Sequence, residues 1–159
     1  YSYDKMDMDQ PSADSILPEF QQLAEGDVVP TDPEGGFIAR VVEPEAALVL
    51  YLDTELVRTQ DVAAREARAA GEATEDMPAG LEAAGAMSGR MMPEFRASWA
   101  LVLEPAPGGG TYLIERMRIW TGEGGLSQQL GLPFMGLGIF LMTRKHMLGV
   151  KERAERHAS

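Results

Sequence analysis

An apolar run that passes without a break into a charged tail, Leu130 to Arg156, constrains this chain more than any other stretch. The run reads Leu-Gly-Leu-Pro-Phe-Met-Gly-Leu-Gly-Ile-Phe-Leu-Met (130–142) and the tail Arg-Lys-His-Met-Leu-Gly-Val-Lys-Glu-Arg-Ala-Glu-Arg (144–156). Pro133 suits the first turn of a helix, where its missing N–H costs nothing. Beyond it Gly136, Phe140, Thr143, Met147, Val150 and Ala154 recur at helical spacing and form one stripe. The first half is apolar nearly all round, which predicts enclosure on most sides. The second half is apolar on one face, which predicts a solvated end. The expectation is one long C-terminal helix, with everything upstream built as a sheet to hold it.

Composition narrows what such a chain can do. At 159 residues it is one domain, large enough to bury a core. The net charge of −11 argues against nucleic acid, which needs clustered positive charge to displace counterions. An anionic membrane surface is disfavoured for the same reason. With no cysteine there is no disulfide, thiolate nucleophile or thiolate metal site. Two histidines, His146 and His157, cannot make a His-rich metal centre unaided. The 130–142 run, rising about 1.5 Å per residue, is too short to cross a hydrocarbon core of about 30 Å, so no membrane insertion is expected. No basic and then apolar signal segment opens the chain, and a soluble, cytoplasmic protein is the expectation. The first residue is Tyr1 rather than Met, which reads as a processed, truncated or partly visible product.

The upstream elements follow from periodicity. Residues 1–13 are polar with little pattern; Ser12 or Asp14 would cap a short helix over Ile16 to Leu23, and Gly26 would end it. Asp27 to Pro30 is a short strand at most, before the turn-rich 31–36. Phe37 to Val42 alternates Phe37, Ala39, Val41 against Ile38, Arg40, Val42. Ala46 to Asp53 alternates Leu48, Leu50, Leu52 against Ala47, Val49, Tyr51, and Glu43-Pro44-Glu45 joins the two as a hairpin. Residues 54–93 turn small and charged. Thr59 to Ala70 predicts an exposed helix capped by Thr59, and the whole stretch reads as a mobile insertion over the mouth of the sheet. Phe95 to Glu104 places Phe95, Ala97, Trp99, Leu101 and Leu103 on one face. After the turn at 105–110, Thr111 to Trp120 sets Leu113, Met117 and Ile119 against Tyr112, Ile114, Arg116, Arg118 and Trp120. Glu115 shares the apolar face, an odd place for a carboxylate. The sum is an α+β fold, an antiparallel sheet curved around a long C-terminal helix.

The YSYD start, the segment SADSILPEFQQLAEGDVVP, the pair SWALVLEP and GGGTYLIERMR, and the helix ending MLGVKERAE resemble the SRPBCC superfamily. That is the helix-grip fold of START lipid-transfer domains, polyketide cyclases and dehydratases, and birch-pollen allergens; the likeness points to its bacterial members of unassigned function. It covers nearly the whole of 1–159 as a single domain. Such domains open with a strand and one or two helices ahead of the position matched by Tyr1, so the domain reads as N-terminally incomplete. Either that part was removed, or another chain supplies the edge, as in a homodimer; an open edge strand invites pairing.

The resemblance implies a cavity between sheet and helix for a hydrophobic small molecule. Ten methionines agree in kind, since Met lines adaptable apolar surfaces. The lining candidates are Tyr51, Trp99, Met117, Ile119, Phe134, Met135 and Phe140, each weighed against plain core packing. Arg116 is the polar candidate, able to hold a carboxylate in a bidentate way if it faces inward. Glu115 would instead be an acid or base, and neighbours on a strand cannot both face in. Arg118 completes that charged strand. His146, among Arg144, Lys145 and Lys151, reads as a helix-surface residue. Asp4, Asp7 and Asp9 lack the Gly and final Glu of a calcium loop. Gly108 to Gly110 is a hairpin turn rather than a phosphate cradle, because no helix follows it. No nucleophilic or metal-hydrolase motif occurs, and no catalytic residue, metal or cofactor is assigned. The function expected is a carrier or sensor of a hydrophobic or amphipathic ligand. The alternatives are a cyclase or dehydratase-type enzyme using Glu115, Arg116 or Tyr51, and an interaction module using its acidic insertion.

Overall fold

The computed structural model describes residues 18, 21–32, 35–71, 94–122 and 126–157. Five strands pair in chain order into one open antiparallel sheet: β1 (Val28–Asp32), β2 (Gly35–Glu43), β3 (Ala47–Asp53), β4 (Phe95–Pro105) and β5 (Thr111–Thr121). A helix, α1 (Thr54–Ala69), follows β3, and a second, α2 (Leu126–His157), follows β5. The class is therefore α+β, with a C-terminal helix set against a five-stranded sheet. The longest hairpin joins β4 to β5 through Gly108, Gly109 and Gly110, all at positive φ, a backbone region that glycine enters without a Cβ clash.

A bulge decides which side chains share a face. β2 and β3 pair Ala39 with Leu50, then Val41 with Val49, leaving Arg40 as the extra residue. Past that point the alternation is reversed, so Val42, opposite Leu48, joins the face of Ala39, where strict alternation predicts Val41. The same face continues through Leu50 opposite Trp99, Trp99 opposite Met117, and Leu101 opposite Glu115. It holds the most deeply buried apolar residues, Ala39, Leu50 and Ala97. Only Leu50 among them is large.

The helix α1 begins ahead of the expected Thr59. Asp53 accepts the Leu56 N–H at 2.8 Å and is the true cap, and the Thr59 hydroxyl donates back to the Glu55 carbonyl inside the helix. Thr54 ties this start to the sheet, its hydroxyl accepting the Phe95 N–H at 2.8 Å. Farther along, the Gln60 amide bonds both backbone groups of Gly36, at 3.1 and 3.0 Å, as a neighbouring strand would. Gly36 admits no side chain, since a Cβ would fall within the Val29 carbonyl of β1. The remainder of the expected insertion, 72–93, lies outside the described residues, as do Asp4, Asp7, Asp9 and half of the expected helix at Ile16 to Leu23. At the described end of that helix Gln22 and Leu23 are not helical.

The helix α2 departs from expectation at both ends. It starts at Leu126, so Pro133 lies inside it rather than in its first turn. Most of the described side chains of its apolar first half are not enclosed: Phe134, Leu137, Phe140, Leu141 and Met142 are exposed, Phe134 by 78 %. Its charged second half is the part that packs: Thr143, His146, Met147 and Val150 are half-buried, His146 against Glu115 and Trp99 of the sheet and Val150 beside the sheet leucines. Among the described residues no helix is long and apolar enough to cross a membrane.

Candidate functional site

The second half of α2 meets the sheet at a carboxylate. Glu115, on the apolar face of β5, has a side chain only 1 % exposed. Its Oε1 accepts the indole N–H of Trp99 at 2.7 Å, across the β4–β5 pair. Its Oε2 lies 3.1 Å from Nδ1 of His146 on α2. The His146 ring also meets Trp99 edge-on, centroids 5.6 Å apart, and Phe37 of β2 meets Trp99 in the same manner at 5.8 Å. Burying an ionisable group in an apolar face is costly unless its lone pairs are satisfied, and these two bonds satisfy it. Among the described residues no buried side-chain polar atom lacks a partner.

Trp donates only, so Glu115 Oε1 is an acceptor. The Oε2–Nδ1 contact thus joins the sheet to α2 through two side chains.

Beside this pair an apolar pocket of about 400 Å³ opens between sheet and helix. Leu48, Leu101, Leu103 and Leu113 form its sheet wall, Val150 and His146 its helix wall, and Glu43 and Glu45 of the β2–β3 turn stand at its rim. Among the described residues no Lys or Arg lines it. The volume is at the lower end for small-molecule sites, which run from about 300 to 1,000 Å³.

The residues expected to line a cavity are scattered. Trp99, Met117 and Ile119 share the face that α2 covers, while Tyr51 and Arg116 lie on the opposite face, because they pair or alternate with Ser98 and Ala100 rather than with Trp99. Arg116 is exposed there and cannot reach the sheet–helix pocket. Phe134 and Phe140 are exposed on the unpacked half of α2, and the Met135 side chain lies outside the described residues. None of the seven whose side chains are described lines the 400 Å³ pocket. Tyr51, Met117 and Ile119 instead border an open hollow of about 650 Å³ shared with Arg96, Arg118 and Trp120. In that hollow Tyr51 donates to Asp53 at 3.0 Å, and burial, then the Asp53 carboxylate, push its phenol pKa up. The Leu56 N–H holds the Asp53 carboxyl below its ordinary value.

His146 is the residue that sequence reasoning placed wrongly, as a surface group. The corrective signal was present: it falls three residues after Thr143 and four before Val150, beside the apolar stripe of the helix, and Glu115 on its apolar face needed a polar partner. Among the described residues no cluster of His, Asp and Glu fits a metal ion. No family model, no curated protein and no solved structure matches this chain, and the site's own geometry carries the functional reading.

Proposed function

We propose that this chain is a helix-grip protein of the SRPBCC kind that binds a small hydrophobic or amphipathic molecule between its sheet and its C-terminal helix, as a carrier or sensor. The observation that carries this reading is the 400 Å³ pocket walled by four leucines, Val150 and His146. Apolar walls with one placed polar group are what such ligands require. Native mass spectrometry of the purified protein, beside its denatured mass, tests it. An adduct of small-molecule mass that is lost on denaturation is the expected result. A bare mass, together with no heat on titration with naphthalene or 1-naphthol, would overturn it.

The Glu115–His146 contact favours a second reading, proton transfer to or from a ligand in that pocket by an imidazole that a carboxylate orients. The two readings separate on the fate of the ligand. A carrier returns its co-purified molecule chemically unchanged after prolonged incubation. An enzyme converts it, and His146→Phe stops the conversion.

A further inference from the structure

We propose that the sheet carries a second binding site on the face opposite Trp99 and Glu115, and that it takes a small organic oxyanion, a carboxylate or phosphate on a flat apolar body. This site stands apart from the sheet–helix pocket. Arg96, Arg118, Ser98, Tyr51 and Trp120 line the open hollow of about 650 Å³ there. Arg118 pairs with Ser98 and Ser98 with Tyr51, one row across β5, β4 and β3. Trp120 pairs with Arg96 in the next row on the same face.

The sheet itself shapes the hollow. Neighbouring strands lie about 4.8 Å apart, so Arg118 and Tyr51 rise about 10 Å from each other on either side of β4. Ser98 stands between them in the row; its short side chain leaves the floor low and supplies a hydroxyl donor there. Beside that row the Arg96 guanidinium stacks on the Trp120 ring, 5.0 Å from its centroid. Arg40 meets the Tyr51 ring in the same way at 5.5 Å and adds a further positive charge. Stacking occupies the face of a guanidinium and leaves its edge, which carries the N–H donors, open to an anion.

Charge then decides the sign of the ligand. Two carboxylates stand near these arginines and both are engaged: Asp53 accepts the Tyr51 hydroxyl and the Leu56 N–H, and Glu94 lies 3.8 Å from Arg96. Among the described residues Arg118 makes no ion pair. Its planar fork matches the two oxygens of a carboxylate or one edge of a phosphate, whereas a cation would meet like charge. Size follows from the rest of the chain. A net charge of −11 repels a long polyanion, but salt screens remote acidic residues beyond about 8 Å from a small ion seated here. The exposed Trp120 ring and the Tyr51 ring offer flat apolar surface to the body of such a molecule.

The test is calorimetric titration with 1-naphthoate, 2-naphthyl phosphate and 1-naphthylmethylammonium near physiological salt, with the indole N–H signals of Trp99 and Trp120 followed by NMR. The expected result is that an anionic probe binds at least about tenfold tighter than the ammonium probe, and that the Trp120 signal moves while that of Trp99 stays. The tighter of the two anions names the oxyanion. Arg118→Gln should weaken that anion at least about fivefold, and Arg144→Gln, which removes an exposed charge from α2, less than about twofold. Failure of both anions to bind overturns the proposal, as does an ammonium probe that binds as tightly. Binding that moves the Trp99 signal alone, or that survives intact in Arg118→Gln, overturns it by placing the anion elsewhere. Equal losses in the two variants would make the effect one of net charge and overturn it too. The unaltered protein decides the comparison of probes, so a variant that failed to fold would not shield the proposal. Naphthalene and 1-naphthol report on the sheet–helix pocket separately, so the two sites can fail independently.

Discussion

The two halves of α2 reverse what their compositions promise. The first is apolar nearly all round, and its Phe134, Leu137, Phe140, Leu141 and Met142 stand exposed; the second, 143–157, is rich in charge and packs on the sheet through His146. Apolar surface states how much a helix gains by burial, not which part meets a partner. The second half is held because it offers a shaped complement. Thr143, His146, Met147 and Val150 are half-buried at helical spacing, and the Glu115 carboxylate ties the helix to the sheet through His146. The first half has side chains of the right kind, but among the described residues no surface covers them.

Substitutions can break that contrast. The largest effect is expected at the contact between sheet and second half. Glu115→Ala strips the acceptor from the Trp99 indole and from His146 together, and should lower unfolding free energy by about 3 kcal/mol in urea titrations. A loss under 1 kcal/mol would mean that the carboxylate is not what holds the helix. Next is Val150→Ser on the packed half, expected to cost about 1.5 kcal/mol through lost apolar burial and a hydroxyl placed at the leucine-lined wall.

A site remote from both halves calibrates these values. Asp53→Ala removes the cap of α1 and should cost about 1 kcal/mol at neutral pH. Its pH dependence has a definite sign. The folded carboxyl is held below its ordinary value by the Leu56 N–H, so its stabilisation is complete above the unfolded pKa of about 3.9 and is lost as pH falls through the depressed folded value. The gap between parent and Asp53→Ala should therefore close in strongly acidic solution, and a gap that widened there would refute the assignment. The smallest effect belongs to the exposed half, where Phe140→Ser should change stability by no more than about 0.5 kcal/mol. A cost equal to that of Val150→Ser would show that Phe140 is covered in solution, and the contrast between the halves would fall.

The strands were legible in the sequence because a half-buried strand announces itself by alternation. β4 and β5 match their expected spans to within a residue, and the hairpin at 105–110 follows from its glycines. What escaped were features set by tertiary contact. Nothing local marks Arg40 as a bulge, yet it moves Val42 to the packed face. Thr59 is a residue type that caps helices, though a weaker one than Asp, and it is Asp53 at the end of β3 that accepts the Leu56 N–H. The site was half legible. Glu115 stood out as a charge on an apolar face, whereas Arg144, Lys145 and Lys151 around His146 disguised it, because they are its neighbours along the chain. The lining candidates were chosen for aromatic and Met character, and the pocket turned out to be walled by leucines.

The indole bond to Glu115 also gives the molecule an optical handle. The chain has two tryptophans, and they sit in opposite surroundings: Trp120 is 49 % exposed beneath Arg96, while Trp99 is anchored to a buried carboxylate with an imidazole against its edge. Trp99 emission therefore comes from a rotationally fixed fluorophore, and Trp120 emission from one that solvent relaxes. With Trp120 replaced by Phe, the remaining signal would belong to Trp99 alone. Its quenching by the adjoining imidazole would then follow in real time anything that pulled His146 away from Glu115.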